Sequence, residues 1–394
     1  MQTNTAYLVS AVRTAVGRAK KGALRNERPE ALGAAVVRAA IERGGLDAAL
    51  VDDVLMGCAF PEGPQGMNIG RVVAQKAGLP DRTTGATLNR FCSSGLQTIA
   101  YASASIAAGH ADAVVAGGTE SMSLVPMSGF YFQPDPGVVS DDPELYVSMG
   151  VTAENIAHQW GVTREAQDAF ALQSHQRALA ALAEGRFRDE IVPLDVTDIG
   201  YADGRRTERT FTFDTDEGPR ADTSLEALAR LRPVFRAGGS VTAGNSSQTS
   251  DGAAAALVVS EALVKEHGLT PMARVVSFAL AGVPPEVMGI GPVEAIRLAL
   301  KRAGLTLGDI GLVELNEAFA AQSLAVMQDV GLDPAIVNVN GGAIALGHPL
   351  GCSGAKLTAT LLHEMQRRGV RYGLCTMCVG GGMGAAAVFE NLAR

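Results

Sequence analysis

Three segments of the chain carry side chains that could perform chemistry together. The first surrounds a cysteine, in the run Asn89-Arg90-Phe91-Cys92-Ser93-Ser94-Gly95. A helical pattern follows, so the sequence places Cys92 at a helix N-terminus, whose positive field favours a thiolate. Because an ordinary thiol has a pKa of about 8.5, that field predicts a nucleophile at neutral pH. The alternative is a buried structural cysteine, a common fate of free cysteine.

The other two segments lie near the C-terminus. His348 is held in a Gly/Pro turn, and Cys378 precedes a glycine run, beginning with Gly380, that lets a ligand approach the backbone. Asn316 follows a strand and is expected to hold a catalytic water. These residues predict a site with a nucleophilic thiol, a base, an acid and backbone N–H groups for an oxyanion, which suits carbon–carbon bond chemistry on a thioester. Taken alone His348 could be structural, and Cys352 is expected to be a packing residue.

Composition argues against several classes of function. The 394 residues are 47% apolar and 19% charged, with 46 glycines, which is typical of a well-buried α/β enzyme of two or three domains. A net charge of −8 argues against a nucleic-acid or membrane-surface role. The cysteines have neither disulfide-like spacing nor a second CxxC for zinc. No apolar run approaches the roughly 20 residues that span a bilayer. We therefore predict a soluble cytoplasmic protein without a metal.

Landmarks recur at one constant separation along the chain, which indicates an internal duplication. The corresponding positions are Val54 and Val313, Ser94-Gly95 and Ser353-Gly354, and Asn89 and His348. The reactive turns are therefore expected to meet across a pseudo-twofold axis. Alternating strand and helix patterns predict an α/β fold with two buried central helices, one of them running from Ser93 to about Ala108. Chance similarity between Gly/Ala-rich segments is the alternative.

One segment of the first half has no counterpart in the second. We predict a first half formed by residues 1–118 and 250–270, an inserted loop domain at 119–249, and a second half at 271–394. Amphipathic helices are predicted in the insert from Val151 to about Trp160, and from Thr163, as N-cap, to about Glu184. An insertion on a rigid core is suited to a lid or a ligand-gripping domain.

The motifs, in this order, resemble those of the thiolases over nearly the full length of the chain. They are Asn89-Arg90-Phe91-Cys92-Ser93-Ser94-Gly95, Ser148-Met149-Gly150-Val151-Thr152-Ala153-Glu154-Asn155, Val241-Thr242-Ala243-Gly244-Asn245-Ser246-Ser247, Val287-Met288-Gly289-Ile290-Gly291-Pro292, Asn316-Glu317-Ala318-Phe319, Gly341-Gly342-Ala343-Ile344-Ala345-Leu346-Gly347-His348-Pro349 and Cys378-Val379-Gly380-Gly381. The resemblance implies the five-layer αβαβα thiolase fold, built from two similar halves with an inserted loop domain.

The resemblance also implies a ping-pong reaction. His348 would take a proton from Cys92, whose sulfur attacks the 3-keto carbon of a 3-ketoacyl-CoA, and Cys378 would protonate the departing enolate. A second CoA would then release the shortened acyl group. One oxyanion hole would use His348 and a water on Asn316, and the other the backbone N–H groups of Cys92 and Gly380.

The resemblance implies that coenzyme A binds as a co-substrate, with no permanently bound cofactor, in a homodimer or homotetramer. Arg220 would lie near the adenine and Ser247 on the pantetheine, although the residues alone favour an ordinary surface role for Arg220. The remaining substrate-binding residues would be Phe235, Ala243, Gly244, Met288, Ala318 and Phe319.

Departures from the biosynthetic pattern favour a degradative 3-ketoacyl-CoA thiolase of fatty-acid β-oxidation. Ser148 stands where biosynthetic thiolases usually have histidine, and the nucleophile motif is Cys92-Ser93-Ser94-Gly95 instead of Cys-Gly-Ser-Gly. The flexible apolar stretch from Met122 to Met149 is expected to cover the acyl chain, or else to pack at a subunit interface. The alternatives are an acetoacetyl-CoA thiolase condensing two acetyl-CoA, and a non-catalytic acyl-CoA or lipid-binding protein.

Overall fold

A long mixed β-sheet forms the centre of the molecule in the computed structural model, which describes residues 4–202 and 205–393. The strands are β1 (Ala6–Thr14), β2 (Gly17–Arg18), β3 (Asp53–Gly57), β4 (Thr84–Leu88), β5 (Ala113–Ser121), β6 (Ile191–Val192), β7 (Leu194–Ala202), β8 (Arg205–Phe213), β9 (Ser250–Ser260), β10 (Ala273–Gly282), β11 (Leu312–Leu315), β12 (Tyr372–Val379) and β13 (Met383–Asn391).

α-Helices pack against the faces of the sheet. They are α1 (Pro29–Gly44), α2 (Ile69–Lys76), α3 (Ser94–Ala107), α4 (Pro136–Asp141), α5 (Met149–Gln159), α6 (Arg164–Ala183), α7 (Leu225–Ala229), α8 (Glu261–His267), α9 (Gly291–Ala303), α10 (Ala320–Val330), α11 (Ala343–Leu346) and α12 (Leu350–Arg368). In the described part of the chain, none of them is long and apolar enough to cross a membrane.

The two halves have the same strand order, as the repeated landmarks predict. The first half runs β4-β3-β5-β9-β1, with the β4-β3-β5 pairs parallel and the others antiparallel. The second runs β11-β12-β13-β10 with the same directions, and a parallel bridge between Val313 and Val337 stands where β4 pairs with β3. The halves join where β1 meets β10, at Leu8 and Ala273.

The central helices α3 and α12 are buried between the two halves and cross at a pair of glycines. A Cβ on Gly95 would lie 2.8 Å from the amide nitrogen of Ala355, and one on Gly354 would lie 2.3 Å from that of Leu96. A pseudo-twofold axis between the helices makes the two contacts equivalent to each other. Each of them leaves no space for a Cβ, so both positions need glycine. With α1 and α2 on one outer face and α9 and α10 on the other, the layers are αβαβα.

The insert lies between β5 and β9 and contains α4 to α7, β6 and the β7–β8 hairpin. Its helix α5 begins at Met149, two residues before the predicted start. The Thr163 hydroxyl accepts from the amide of Ala166 and caps α6, as its sequence position predicts. The exact boundaries proposed for the three parts of the chain stay predictions.

Candidate active site

Cys92 lies in a tight turn just before α3, and side chains hold that turn in an unusual conformation. Phe91, which precedes it, has a φ of 41°, in the left-handed region that residues other than glycine rarely adopt. The amide of Phe91 donates to Asn89 Oδ1 at 2.8 Å. The hydroxyl of Ser94 accepts from the amide of Arg90 and donates to the carbonyl of Phe91. These contacts stabilise the backbone conformation that presents the thiol.

Burial, not the helix field, dominates the electrostatics of Cys92. Burial raises the pKa of the thiol to about 12, and the charge of Glu120 acts in the same direction. The backbone N–H groups of Gly380 and of Cys92 itself point at the sulfur and lower the pKa, but by less. The prediction of a resting thiolate is therefore wrong. The resting group is a thiol, and a base must take its proton when substrate binds.

His348 supplies a neutral imidazole at the start of α12. Its amide is fixed by the carbonyl of Gln248 at 3.1 Å and the hydroxyl of Ser250 at 3.2 Å. Burial lowers the pKa of the imidazole to about 3, with a further contribution from the charge of Lys356. His348 is therefore uncharged at neutral pH, which is the state in which it can accept a proton.

The hydrogen bonds of Ser353 decide which nitrogen of His348 carries the proton. The Ser353 hydroxyl lies 2.9 Å from the carbonyl of Pro349, which can only accept, so the hydroxyl donates there. It must then accept from His348 Nδ1, at 2.5 Å. Because Nδ1 carries the proton, Nε2 has an unprotonated lone pair, accepts from Asn316 Nδ2, and is the basic nitrogen.

Asn316 lies beside that basic nitrogen. Its Nδ2 is 3.3 Å from His348 Nε2, and its backbone amide donates to the carbonyl of Thr376 at 3.0 Å. The side-chain oxygen Oδ1 is buried and has no hydrogen-bond partner among the described residues. A buried acceptor of this kind normally binds water, which is consistent with the predicted catalytic water.

Cys378 is the penultimate residue of β12 and lies within electrostatic range of the Cys92 thiol. Burial raises its pKa, and a charge on Cys92 raises it further, so the two sulfurs are close enough to interact electrostatically. It packs in one cluster with the predicted substrate-binding residues Met288, Ala318 and Phe319. A thiol whose pKa is raised keeps its proton until a strong base, such as an enolate, takes it.

An apolar cleft of about 610 Å³ opens onto Cys92, Asn89 and Gly380. The stretch from Met122 to Met149, which the sequence analysis expected to cover the acyl chain, contributes much of its wall, including Met127 and Phe132. Met122 instead packs against Cys92 in the core. Tyr131, Leu145 and Tyr146 belong to the same stretch. Sequence reasoning missed wall residues outside it, which include Phe60, Pro61 and Leu350 and which no local sequence pattern marks.

The residues predicted to bind coenzyme A gather elsewhere. Phe235 meets Phe319 edge-on with ring centroids 6.0 Å apart, and the amide of Ser247 donates to the carbonyl of Ala318 at 2.9 Å. Within the described chain, none of the predicted CoA-binding residues is part of the cleft wall. Most of this group therefore lies on the Cys378 side of the site.

Three other residues predicted to bind substrate or CoA, Ala243, Gly244 and Arg220, have surroundings unlike those of this group. Gly244 approaches Leu228 and Leu231 so closely that a Cβ would lie within 2.6 Å of each side chain, and its neighbour Ala243 is exposed. Arg220 is exposed and pairs with Asp222 at 3.1 Å, which agrees with the surface role that the residues alone favour. None of these contacts identifies a ligand.

Two protonated thiols and a neutral imidazole lie where two similar αβ halves face each other, an arrangement suited to acyl transfer. Residues 6–262 match the N-terminal domain of thiolase and residues 269–391 match its C-terminal domain, so the chain belongs to the thiolase family.

Relatives with two different names match the chain over nearly its whole length. A 3-ketoacyl-CoA thiolase of Bacillus subtilis (strain 168) is 55% identical over 98% of this chain and 99% of that protein. An acetyl-CoA acetyltransferase of Shinella zoogloeoides is 48% identical over 98% of each chain. The crystal structure of the Bacillus anthracis acetyl-CoA acetyltransferase superimposes with a TM-score of 0.90 and 44% identity, covering 99% of this chain and 100% of that one.

Proposed function

We propose that this thiolase cleaves 3-ketoacyl-CoA with CoA to acetyl-CoA and an acyl-CoA two carbons shorter. The observation that carries the proposal is the unprotonated Nε2 of a neutral His348, in the same site as two protonated thiols. Such a site holds one base and two acids at rest, which are the proton donors and acceptors that the two half-reactions need.

In the first half-reaction His348 Nε2 takes the proton of Cys92, and the sulfur attacks the 3-keto carbon. The oxyanion is stabilised by the new Nε2–H of His348 and by a water on Asn316. The carbon–carbon bond then breaks, and the electron pair leaves with the acetyl-CoA enolate. Cys378 gives its proton to the enolate carbon, and the shortened acyl group remains on Cys92.

In the second half-reaction the thiolate of Cys378 takes the proton of the incoming CoA thiol. The CoA sulfur attacks the acyl-cysteine carbonyl, whose oxyanion accepts from the backbone N–H groups of Cys92 and Gly380. Collapse of this intermediate releases the new acyl-CoA and the Cys92 thiolate, which regains its proton from His348. All three groups return to their starting states.

The size of the cleft supports the degradative role, because a largely apolar cleft of about 610 Å³ can hold more than a two-carbon acyl group. Ser148 lies in that wall, and a small side chain there leaves more room than the histidine expected of biosynthetic thiolases. Condensation of two acetyl-CoA is the alternative, and relatives carrying both names are similar to the chain. Fatty-acid β-oxidation is the proposed setting.

A ladder of 3-ketoacyl-CoA substrates separates the two roles. Each methylene buried in the cleft should contribute up to roughly 0.8 kcal/mol, so kcat/KM for thiolysis should rise over the first added carbons and then level off. A profile that peaks at acetoacetyl-CoA and collapses at six carbons would favour the biosynthetic alternative.

We also propose that the protein is a cytoplasmic homodimer or homotetramer. At the end of the sheet, β4 pairs only with β3 among the described strands, which leaves one edge open. Large apolar side chains are exposed nearby or in the insert, including Met67, at 97% exposure, Phe130 and Tyr131. Light scattering at micromolar concentration should give a mass of two or four chains, and a monomer would contradict this.

A further inference from the structure

Glu120, on β5, is a buried carboxylate whose hydrogen bonds among the described residues all come from neutral donors. It is 1% exposed, and its Oε2 accepts from the amides of Ala59 and Gly351, both at 2.7 Å. Its Oε1 accepts from Gln65 Nε2 at 2.7 Å and faces the Cys58 thiol at 3.7 Å. Since these neighbours are all donors, the ionised carboxylate is the form that satisfies them.

The two amides on Oε2 belong to opposite halves of the molecule. On the nucleophile side, the carbonyl of Ala59 accepts from Asn89 Nδ2 at 3.0 Å, and Asn89 Oδ1 holds the amide of Phe91, next to Cys92. Glu120 is therefore connected to the turn that presents the thiol through two side-chain hydrogen bonds.

On the base side, Gly351 lies in the first turn of α12, three residues after His348. Its amide has no partner within the helix, as in the first turn of any helix, so Glu120 supplies the missing acceptor. The contact is close, because a Cβ on Gly351 would lie 2.7 Å from Glu120 Oε2 and 2.6 Å from the Cα of Cys58. Besides the Ser250 hydroxyl that holds the amide of His348, one oxygen atom of Glu120 thus links the start of α12 to the first half.

We propose that Glu120 is a positioning residue for the proposed thiolase reaction, since its Oε2 fixes the Cys92 turn and the His348 helix relative to each other. It acts through Ala59 and Gly351 and does not touch the reacting atoms. The inference rests on the proposed function, because proton transfer from Cys92 to His348 depends on the separation of the two side chains.

Glu120→Gln tests the proposal with a side chain of almost the same shape. The amide group of the substituted side chain would face donors on either side, because Gln65 cannot turn over without losing the bond that its Oε1 accepts from the amide of Ser121, at 2.5 Å. At least one of the contacts that the Glu120 carboxylate makes is therefore lost in the variant. Either the –NH2 group faces the two backbone amides and the link between the turns breaks, or it faces Gln65 Nε2, and the repulsion there displaces the side chain and weakens its hold on both amides.

Glu190→Gln is the matched control. Glu190 is equally buried and also connects the halves, since its Oε1 accepts from Arg13 Nε at 2.5 Å and from the Thr360 hydroxyl at 2.9 Å. Thr360 lies nine residues beyond Gly351 on α12, about 14 Å along the helix axis. This variant therefore weakens the junction of the halves far from the reactive turns.

The experiment measures three quantities for each variant: the melting temperature, the KM and the rate of Cys92 acylation by an acyl-CoA. The acylation rate is obtained by quenching the reaction rapidly and measuring the mass of the intact protein. Both variants should melt earlier than the wild type. Glu120→Gln should acylate about 100-fold more slowly with KM unchanged within about twofold, because misplacement of roughly 1 Å costs this much. Glu190→Gln should acylate within about threefold of the wild-type rate.

Equal acylation rates for Glu120→Gln and the wild type, or equal losses in both variants, would overturn the proposal. Glu120→Asp, which keeps the charge but is too short to reach both amides, replaces Glu120→Gln if that variant does not fold. Failure of both Glu120 variants to fold, with Glu190→Gln folded, would assign Glu120 a purely structural role. A wild-type protein that is never acylated would instead refute the proposed function.

Discussion

The two halves build the same turn and place different chemistry on it. At equivalent positions the first half has Asn89 and Cys92, and the second has His348 and Gly351. Five residues after Asn89 and His348, the equivalent serines Ser94 and Ser353 each donate to a nearby backbone carbonyl. In the proposed mechanism, the same backbone turn therefore presents the nucleophile in one half and the base in the other.

The halves differ in how much strain they hold. In the first half, Phe91 adopts a positive φ, whereas in the second half the equivalent Leu350 already belongs to a regular helix. A non-glycine residue in the left-handed region costs of order 1–3 kcal/mol. The comparison teaches that the nucleophile needs a special backbone to present it, while the base is oriented by a side-chain hydrogen bond to Ser353. The site is complete only when both halves are present.

The largest effect is expected when the second turn is made to resemble the first, by His348→Asn. This change removes the base and an oxyanion donor while keeping a polar side chain of modest size. Cys92 acylation should fall by at least about 10²–10⁴-fold, the usual contribution of general-base catalysis. The acylation rate is measured by rapid quench, and the melting temperature of the variant serves as the control for folding. Near-normal acylation would remove His348 from the mechanism.

Cys378→Ala should separate the half-reactions. The equivalent position on β5 is Thr119, whose hydroxyl donates to the carbonyl of Pro29 and has a structural role. Without the Cys378 thiol, carbon–carbon cleavage should fall by about 10²–10⁴-fold, because the enolate loses its acid. Acylation of Cys92 from a simple acyl-CoA should persist with a much smaller loss, because a CoA thiolate can leave without being protonated and an enolate carbon cannot. If a folded variant lost both carbon–carbon cleavage and Cys92 acylation, the separate roles proposed for the two thiols would be contradicted.

Ser353→Ala should have a moderate effect. The change removes the hydrogen bond that keeps the proton on Nδ1 of His348, so Nε2 is unprotonated in a smaller fraction of the molecules. We expect acylation to slow by about tenfold, equivalent to the roughly 1.4 kcal/mol of one good hydrogen bond. Thr358→Ala is the matched control, since its hydroxyl donates to the carbonyl of Gly354 on the same helix without touching His348. Equal rates in the two variants would contradict the tautomer assignment.

A change of pH is expected to have the smallest effect on the rate of Cys92 acylation. His348 acts as a base only when unprotonated, and its pKa is lowered by burial to about 3. The acylation rate of folded protein should thus change by less than about twofold between pH 8 and pH 5, whereas an ordinary histidine, with a pKa near 6.5, would lose about thirtyfold. An inflection near pH 6.5 would show that His348 is not buried as described.

The same shift predicts how stability depends on pH. The unfolded chain binds a proton on His348 below about pH 6.5, and the folded chain does so only near pH 3, so this group destabilises the folded state progressively as pH falls between these values. Rates at pH 5 must therefore be normalised to the folded fraction, measured by circular dichroism.

Much of the fold followed from local sequence signals. The constant separation between Ser94-Gly95 and Ser353-Gly354 predicted the duplicated halves, and the small apolar residues of the helix after Cys92 predicted its burial. The Thr163 cap predicted the start of α6. These features depend on short stretches of chain, where periodicity and capping chemistry are informative.

The parts that could not be predicted depend on contacts between distant segments. The helix field at Cys92 was visible in the sequence, but the burial that outweighs it comes from the packing of both halves and the insert. The cleft wall includes Phe60 and Tyr146, which lie far apart in the chain and in no periodic pattern. The bridge from Glu120 to Gly351 spans 231 residues, and no local signal marks it.

The central claim is that Cys92, activated by His348 from the opposite half, is the residue that carries the acyl group. The most direct test is to incubate the protein with an acyl-CoA, quench it in acid, digest it, and locate the adduct by mass spectrometry. We predict an adduct on Cys92 in the wild type, an undiminished one in Cys352→Ala, and none in Cys92→Ala. An acyl group on Cys352 or Cys378 of the wild-type protein would contradict the account.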